Sequence, residues 1–168
     1  MKRKDLVIAG LAALILGVAA AVWLAPGLLQ PQAPEVRFHG TDGRTLTLAE
    51  LRGRPVLVNF WATTCPGCIK EMPELVKLYR ELGPKGLEVI GVAMPYDKPS
   101  DVIALQKKRE LPYFIALDPR GEVVAAFGGV RLTPTSYLID PEGRIVFKKI
   151  GEPDWQRLRK ELAPMLKG

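Results

Sequence analysis

Residues 56–68 read VLVNFWATTCPGC, a nearly continuous apolar run that leads into two cysteines separated by Pro-Gly. An apolar run without polar alternation is typical of a strand that is covered on both faces. In residues 68–82 apolar side chains recur at helical spacing, and Gly83-Pro84 ends that pattern. Residues 87–93 form a second apolar run. Strand, helix and strand in this order predict a parallel βαβ unit with a right-handed crossover.

Weaker patterns on both sides of this unit predict further strands and helices. Upstream, apolar and polar residues alternate around Asp42-Gly43, which predicts a half-buried β-hairpin from residues 36–38 and 45–48. Gly121–Phe127 has short strand or helix character, and the pattern leaves the two open. Two further helices are predicted downstream, a charged one from its cap Ser100 to Glu110 and an amphipathic one over 155–166. Three further strands are predicted over 113–117, 135–139 and 144–150, and a turn joins the last two.

The N-terminal part has the composition of a membrane anchor. Met1–Asp5 is a basic tip, and Leu6–Ala25 is a run of 20 residues without a polar or charged side chain. As a helix that rises 1.5 Å per residue, this run is about 30 Å long and matches the hydrocarbon core of a bilayer. The basic tip predicts a cytoplasmic N-terminus, with everything after Pro26 outside the cytoplasm. We therefore expect a single-pass transmembrane signal-anchor, while Ala19–Ala21 keeps a cleaved signal peptide open.

After the anchor we expect a linker and one globular domain. Pro26–Pro34 contains three prolines and two glutamines and is expected to be a tether without packing of its own. Residues 35–168 are expected to fold around a core, because 48% of the chain is hydrophobic and 25% is charged. Two cysteines and one histidine exclude a disulfide scaffold, a four-cysteine zinc site and catalysis by two imidazoles. The net charge of +6 is dispersed among acids, which argues against nucleic acid as a partner.

Cys65 and Cys68 stand where the first buried strand passes into its helix. At this spacing on a first helical turn, the two sulfurs can form a disulfide or stay reduced with little backbone motion. Unpaired helix N–H groups and the helix dipole favour the thiolate of the first cysteine, and Lys70 adds to that field. Such a thiolate can attack a disulfide, and the second thiol can resolve the mixed disulfide. The pattern favours redox catalysis, with a structural disulfide and half of a metal site as the alternatives.

The segment Asn59–Cys68, followed by Glu71-Met72-Pro73, resembles the thioredoxin superfamily. More closely, it is similar to the TlpA/ResA-like branch of membrane-anchored extracytoplasmic thiol–disulfide oxidoreductases. The resemblance covers residues 35 to 166. It implies an α/β, thioredoxin-like fold whose central mixed sheet of four or five strands is flanked by helices. An N-terminal β-hairpin, an insertion after the first βαβ unit and the preceding transmembrane helix complete the expected architecture.

The resemblance also implies roles for residues that touch the chemistry. Cys65 is the expected attacking thiol and Cys68 the resolving thiol. Glu71 matches the acid that follows the motif in this branch, and a partly buried carboxylate there could exchange a proton with Cys68. A solvated helix glutamate is the alternative for Glu71. Thr133-Pro134 matches the family's cis-proline, which faces the cysteines and exposes the Thr133 backbone to an extended substrate.

Three further residues are expected to support the site. Trp61 matches an aromatic side chain packed beneath the redox pair, and Pro73 matches a proline that kinks the active-site helix. Pro66 has no N–H, so one donor that could stabilise the Cys65 thiolate is missing. The sequence also departs from the family pattern at two other positions. Thr64 stands where most relatives have Trp, and Asn59 stands where thioredoxin has a buried aspartate.

These features imply a reductase of selected protein disulfides on the outer, periplasmic side of the cytoplasmic membrane. The substrates would belong to cytochrome c maturation or to the assembly of an oxidase copper site. A membrane thiol protein is the expected electron donor, and the chain is expected to act as a monomer. The Cys65–Cys68 pair is the expected redox group, with no separate cofactor and no bound metal. The departures leave the redox potential and the direction of electron flow open.

A copper(I) chaperone is the alternative function. Cys65 and Cys68 with a methionine or His39 would offer the soft ligands that copper(I) prefers. Related copper-delivery proteins, however, space their cysteines by three residues and add a distal histidine. A peroxidase is disfavoured, because Ala62 stands where that family has threonine.

Overall fold

The computed structural model describes residues 3–24 and 30–167. The chain divides into two units, Met1–Pro31 and Gln32–Gly168. Helix α1 (Arg3–Leu24) belongs to the first unit. Among the described residues, no helix meets the length and apolar character that crossing a bilayer requires. The first two residues of the expected basic tip, Ala25 at the end of the expected anchor and residues 26–29 of the expected linker lie outside the described part.

Within residues 30–167, seven strands form one mixed sheet. They are β1 (Arg37–Gly40), β2 (Thr45–Thr47), β3 (Val56–Trp61), β4 (Glu88–Ala93), β5 (Phe114–Leu117), β6 (Thr135–Ile139) and β7 (Ile145–Ile150). The helices of this unit are α2 (Pro66–Leu82), α3 (Pro99–Lys108), α4 (Glu122–Ala126) and α5 (Trp155–Leu162). Short 3-10 turns over Gly83–Lys85 and Ala163–Met165 follow α2 and α5. The strand order is β2-β1-β5-β4-β3-β6-β7.

The predicted βαβ unit is confirmed. Strands β3 and β4 are parallel, with Val56 opposite Glu88 and Trp61 opposite Ala93. Every residue of β3 is buried, including Asn59, as its nearly continuous apolar run predicts. Strand β5 continues the parallel part beside β4, and β6 runs antiparallel to β3 on its other side. The ends of β3 and β4 and the beginning of β6 therefore meet at one edge of the sheet, which we call the redox edge.

The predicted hairpin forms, but it is part of the central sheet. Strand β1 pairs with β5 through His39 opposite Leu117 and Gly40 opposite Ala116. The five strands β5-β4-β3-β6-β7 agree with the expected central sheet of four or five strands, and the hairpin extends that sheet to seven strands within the described residues. The physical reason is that β5 would otherwise leave a row of backbone N–H and C=O groups unpaired at the sheet edge.

The two faces of the sheet carry separate apolar clusters. Helices α2, α3 and α5 cover one face, where Leu75 and Leu158 are buried against Leu57. On the other face, Val123 of α4 and Leu51 pack against the sheet. Cys68 and Glu71, the buried site residues of α2, consequently face a sheet surface that is closed to water by three helices.

Several element ends differ from the sequence predictions for local reasons. Helix α3 begins at Pro99 after the N-cap Lys98, so Ser100 is not its cap. A proline at the first helical position has no N–H to leave unpaired. Gly121–Phe127, which the pattern left open, contains α4. The closing helix α5 ends at Leu162 and passes into a 3-10 turn.

The end of the expected linker packs against the domain. Gln32 forms a β-bridge with Arg144, and the Ala33 N–H donates to the Gly143 carbonyl at 2.9 Å. Ala33 is also buried in the apolar cluster of the α4 face. Gln32 and Ala33 therefore do not belong to a tether without packing, because the β6–β7 turn offers backbone partners to this part of the chain.

Candidate active site

The two cysteines sit at the beginning of α2, directly after β3. Cys65 is the N-cap residue with φ −92° and ψ 107°, and its sulfur accepts the Cys68 N–H at 3.1 Å. The cysteines are joined as a disulfide, and their Cα atoms lie 5.3 Å apart. Pro66 occupies the first turn, where its missing N–H costs no helical hydrogen bond. In the reduced protein, the Cys65 sulfur would therefore face the positive end of the helix dipole.

The two sulfurs differ in their access to solvent. Cys65 is half-buried, whereas Cys68 is 1% exposed and belongs to the cluster between α2 and the sheet. An incoming disulfide can therefore reach Cys65 and not Cys68. This difference supports the predicted order of attack, with Cys65 first and Cys68 second.

Pro134 lies against the redox pair from the neighbouring strand. The Thr133–Pro134 peptide bond is cis. A Cβ added to Gly67 would lie 3.4 Å from Cδ of Pro134, so the proline ring packs beside the turn between the two cysteines. Pro134 is buried, and Thr133 is half-buried. The Gly151 N–H donates to the Pro134 carbonyl at 2.8 Å and ties this loop to the end of β7.

Trp61 lies beneath the site, as the resemblance implied. Its side chain is 2% exposed and shares the apolar cluster of Cys68. A Cβ at Gly91 would come within 3.1 Å of the Trp61 indole nitrogen, so this glycine leaves room for the ring on the sheet. Pro73 lies inside α2, and its side chain is exposed while the helix continues to Leu82.

Glu71 is fully buried, which excludes the alternative of a solvated helix glutamate. It follows Cys68 by one helical turn and points from α2 to the sheet. Asn59 Nδ2 donates to Glu71 Oε1 at 2.8 Å and lies 3.0 Å from Ser136 Oγ. Glu71 Oε2 has no hydrogen-bond partner among the described residues. The carboxyl group therefore retains one oxygen that can carry a proton.

Burial is the largest cause of the raised pKa of Glu71. Removal from water raises the pKa of Glu71 to about 7, against an ordinary value of 4.5. The bond from Asn59 lowers this pKa in part, and the charge of Glu152 raises it. Burial likewise raises the pKa of Tyr113, and the Glu71 charge adds to that increase. A carboxyl group that titrates near neutral pH can both accept and release a proton under ordinary conditions.

The exposed ion pair Lys70–Glu152 stands at the rim of the site. Lys70 Nζ lies 2.9 Å from Glu152 Oε2, and Trp155 Nε1 donates to the other carboxylate oxygen at 3.2 Å. The bond to Glu152 raises the pKa of Lys70 and links α2 to the segment after β7. Because Lys70 is paired, it adds less to the field at Cys65 than its sequence position predicts.

Comparison with known proteins agrees with this geometry. A family model described as Redoxin matches residues 30–165. The chain belongs to the redoxin family. It is 31% identical over 173 residues to the thiol-disulfide oxidoreductase ResA of Bacillus cereus (strain ATCC 10987 / NRS 248), covering 96% of this chain and 97% of the relative. It is also 32% identical over 151 residues to the thiol:disulfide interchange protein DsbE of Pseudomonas aeruginosa, covering 86% of this chain and 81% of the relative.

A solved structure supports the same assignment. A thioredoxin-family thiol:disulfide interchange protein from Chlorobium tepidum TLS superposes with a TM-score of 0.73 at 26% identity, covering 81% of this chain and 96% of that chain. The redoxin chain is thus a TlpA/ResA-like member of the thioredoxin superfamily, as the sequence motif predicted. Its class is that of a thioredoxin-like thiol–disulfide oxidoreductase.

Of the candidate ligands of the copper alternative, His39 is not brought to the two cysteines. His39 lies on β1, and its Nδ1 is 3.3 Å from Thr45 Oγ1. Strands β5 and β4 separate β1 from β3, so His39 is about 14 Å from the strand that leads to Cys65. Among the described residues, no group of three or more His, Cys, Asp or Glu side chains could hold a metal ion.

Sequence analysis missed two polar residues that serve this site. Ser136 accepts the second Asn59 N–H from a position 77 residues further along the chain. Asp97 accepts the backbone N–H of Thr63 at 2.7 Å and its hydroxyl at 2.9 Å, which anchors the loop before Cys65. Neither residue belongs to a local motif, so no signal in the sequence pointed to them.

Proposed function

We propose that this redoxin reduces selected protein disulfides outside the cytoplasm. The observation that carries the proposal is the arrangement of three groups: a reachable Cys65, a buried Cys68 bonded to it, and a buried Glu71 one helical turn further on. An accessible attacking sulfur, a protected resolving sulfur and a nearby proton acceptor are the parts that dithiol–disulfide exchange requires.

The reaction begins with the reduced protein. The Cys65 thiolate attacks one sulfur of the substrate disulfide, forms a mixed disulfide and releases the other substrate sulfur as a thiolate, which takes a proton from solvent. The Cys68 thiol then gives its proton to the Glu71 carboxylate. The Cys68 thiolate attacks the Cys65 sulfur and releases the second substrate thiolate, which is protonated in turn. Two electrons have passed to the substrate, and the protein holds the Cys65–Cys68 disulfide.

The other predicted site residues have supporting roles in this proposal. Thr133 offers its backbone to an extended substrate beside Pro134, whose ring packs at Gly67. Trp61 forms the floor of the site. Pro66 has no backbone N–H and so removes one donor that would stabilise the Cys65 thiolate. Pro73 shapes helix α2 behind the redox pair.

The cellular setting is proposed from the sequence. The apolar run Leu6–Ala25 and its basic flank support a single-pass anchor in the cytoplasmic membrane, with the catalytic domain on the periplasmic side. There a monomeric reductase would need electrons from a membrane thiol protein, because general oxidation is the default outside the cytoplasm. Disulfides of cytochrome c maturation or of oxidase copper-site assembly are the proposed substrates, and the names of the ResA and DsbE relatives are consistent with an exchange protein.

Single-cysteine variants test the proposal. Cys65→Ser should abolish insulin reduction and form no mixed disulfide, whereas Cys68→Ser should accumulate covalent complexes with a disulfide substrate on non-reducing gels. Reduced parent protein without added metal is the positive control. Complexes trapped by Cys65→Ser and not by Cys68→Ser would reverse the two roles. A parent protein that binds copper(I) through both thiols and reduces no disulfide would favour the copper chaperone instead.

A further inference from the structure

Sheet topology gives the Gln32–Gly168 unit an end that lies opposite the redox edge, which we call the basal end. The parallel strands β3, β4 and β5 begin there, and the turn between β6 and β7 lies there because β6 runs antiparallel to β3. The turn after β1 lies there as well, because β1 runs antiparallel to β5. Helices α2, α3 and α5 begin at the redox edge and finish at the basal end, where Arg159 of α5 pairs with Glu81 of α2.

Charged residues are distributed unequally between the two ends. The chain segments that meet at the basal end are residues 41–44, 52–55, 77–88, 107–113, 140–144 and 159–167. They contain thirteen lysines and arginines and seven acidic residues, a formal net charge of +6. The rest of residues 32–167 contains eight lysines and arginines and ten acidic residues, a formal net charge of −2. Basic residues that are dispersed along the sequence are therefore gathered at one end by the fold.

The acids of the basal end leave much of this positive charge uncompensated. Six of the seven acids form ion pairs with arginines, and Glu110 is the one that does not among the described residues. The lysines of this end are all exposed, and none takes part in the ion pairs formed within the described part of the chain. They are Lys77, Lys85, Lys107, Lys108, Lys160 and Lys167.

The chain also enters the domain at the basal end. Gln32 forms its β-bridge with Arg144, and the Ala33 N–H donates to the carbonyl of Gly143 in the β6–β7 turn. The proposed membrane anchor ends at Ala25, seven peptide steps before Gln32. Seven steps of extended chain span at most about 25 Å. The proposed anchor would therefore keep the basal end close to the bilayer surface.

We propose that the basal end binds anionic lipid headgroups on the outer surface of the membrane that the anchor crosses. Lysines and arginines are attracted to such a surface within a Debye length, which is about 8 Å at physiological ionic strength. The short tether raises the effective concentration of the lipid surface, so that individually weak attractions suffice. This inference rests on the proposed function, from which it takes the anchor and the extracytoplasmic domain.

The charge of the other end adds to the same orientation. A net charge of −2 on the part of the domain that holds the redox edge is repelled by an anionic surface. Binding through the basal end therefore turns Cys65 away from the bilayer and leaves it open to protein disulfides.

Lysine acetylation of the full chain in liposomes tests the inference. The chain is reconstituted in phosphatidylcholine liposomes with or without about 30% phosphatidylglycerol, and a membrane-impermeant reagent acetylates the domains outside the liposome. Mass spectrometry should show Lys85, Lys107 and Lys108 reacting at least about threefold more slowly on the anionic liposomes at low salt, with the difference lost at about 0.5 M salt. The exposed Lys98 and Lys149, near the redox edge, should react at equal rates on both.

Charge-reversal variants locate the surface. Lys107→Glu, Lys108→Glu and Arg109→Glu together reduce the charge of the basal end from +6 to 0, so Lys85 should then react equally on both liposomes. The matched control Lys98→Glu, Arg131→Glu and Lys149→Glu makes the same change in total charge near the redox edge and should keep Lys85 protected.

A second basal variant, Lys85→Glu with Lys167→Glu, should reduce the protection of Lys107 on anionic liposomes. It acts through different elements from the α3 variant, so the inference does not depend on the folding of one variant. Insulin reduction by each variant in detergent reports that its domain is folded.

Equal rates for the basal lysines of the parent on both liposomes, protection of Lys98 and Lys149 in their place, or protection of Lys85 that survives reversal at α3 would overturn the inference and leave the proposed reductase intact. A parent chain that floats with neither liposome would contradict the proposed anchor and the inference with it. Insulin reduction by the reduced parent on the same liposomes tests the proposed reductase separately.

Discussion

At the scale of single residues, Glu71 carries its carboxyl group where water cannot reach it. Asn59 supplies one hydrogen bond to Oε1, and no described residue supplies one to Oε2. The sequence motif identified Glu71 as the acid near Cys68, and its burial by α2 and the sheet raises its pKa to about 7. Position 59 is Asn, where thioredoxin has a buried aspartate. The site nevertheless contains a buried acid, because the Glu71 carboxyl group lies against Asn59.

The pH dependence of disulfide exchange should reveal Glu71. If its carboxylate accepts the Cys68 proton, the rate of mixed-disulfide resolution should rise with pH through about 7. Glu71→Gln should slow resolution about ten- to a hundredfold and lose that inflection. Stopped-flow reduction of a model disulfide between pH 5 and 9 measures both effects. Glu74→Gln makes the same change on the same helix and should behave like the parent. An unchanged pH–rate profile in Glu71→Gln would contradict the hypothesis that Glu71 accepts the Cys68 proton.

Glu71 should also make the folded state less stable as pH rises. Its pKa is about 7 in the fold and near 4.5 in the unfolded chain, so the native state binds more protons between these values. Stability is therefore lost as pH increases from about 4.5 to 7, by at most about 3 kcal/mol. Glu71→Gln should remove this dependence. Urea unfolding of the oxidised Gln32–Gly168 fragment at pH 5 and pH 8 checks it, and an equal pH dependence in both proteins would contradict the burial argument.

At the scale of elements, hydrogen bonds at a buried helix start should contribute more to the free energy of unfolding than hydrogen bonds at an exposed helix start. Helix α4 has only five residues, and the buried Asp118 carboxylate accepts the N–H groups of Val123 and Val124 at 3.2 and 2.9 Å. Helix α5 begins with an exposed cap of the same chemistry, in which Asp154 accepts two backbone N–H groups. Buried N–H groups that lose their acceptor cannot turn to water, whereas exposed ones can.

We expect Asp118→Ala to lower the free energy of unfolding by about 2–3 kcal/mol. Asp154→Ala, the matched exposed change, should lower it by about 1 kcal/mol. Asp118→Asn should recover part of the loss, because the amide oxygen still accepts a hydrogen bond. Denaturant titration gives all three values, and equal losses at the two aspartates would show that burial does not set the difference.

At the scale of the whole molecule, the second unit should fold without the first. The Gln32–Gly168 fragment retains the sheet, its helices and the redox pair. We expect it to be soluble and to reduce insulin at the rate of the full chain. A fragment beginning at residue 35 loses the Gln32–Arg144 bridge and the Ala33–Gly143 hydrogen bond, so it should be less stable by about 1 kcal/mol. Thermal unfolding compares the two, and equal stability would show that residues 32–34 contribute nothing.

The sequence alone determined the βαβ unit, the placement of Cys65 and Cys68 at a helix start, and the class of the enzyme. These features depend on local periodicity and on a contiguous motif, which are present in the order of residues before any folding. The membrane anchor and the substrates stay predictions from the same source.

Only the tertiary structure decided the surroundings of that motif. The hairpin joins β5 because an edge strand has unpaired backbone groups, and no local pattern specifies which edge it meets. The contacts of Asn59 with Glu71 and Ser136, and of Thr63 with Asp97, join residues 12 to 77 positions apart. Such pairs form because the packed sheet and helices bring distant side chains together and exclude water from them. The sequence therefore identifies Glu71 as the acid of the site, and the fold sets its pKa by burying it.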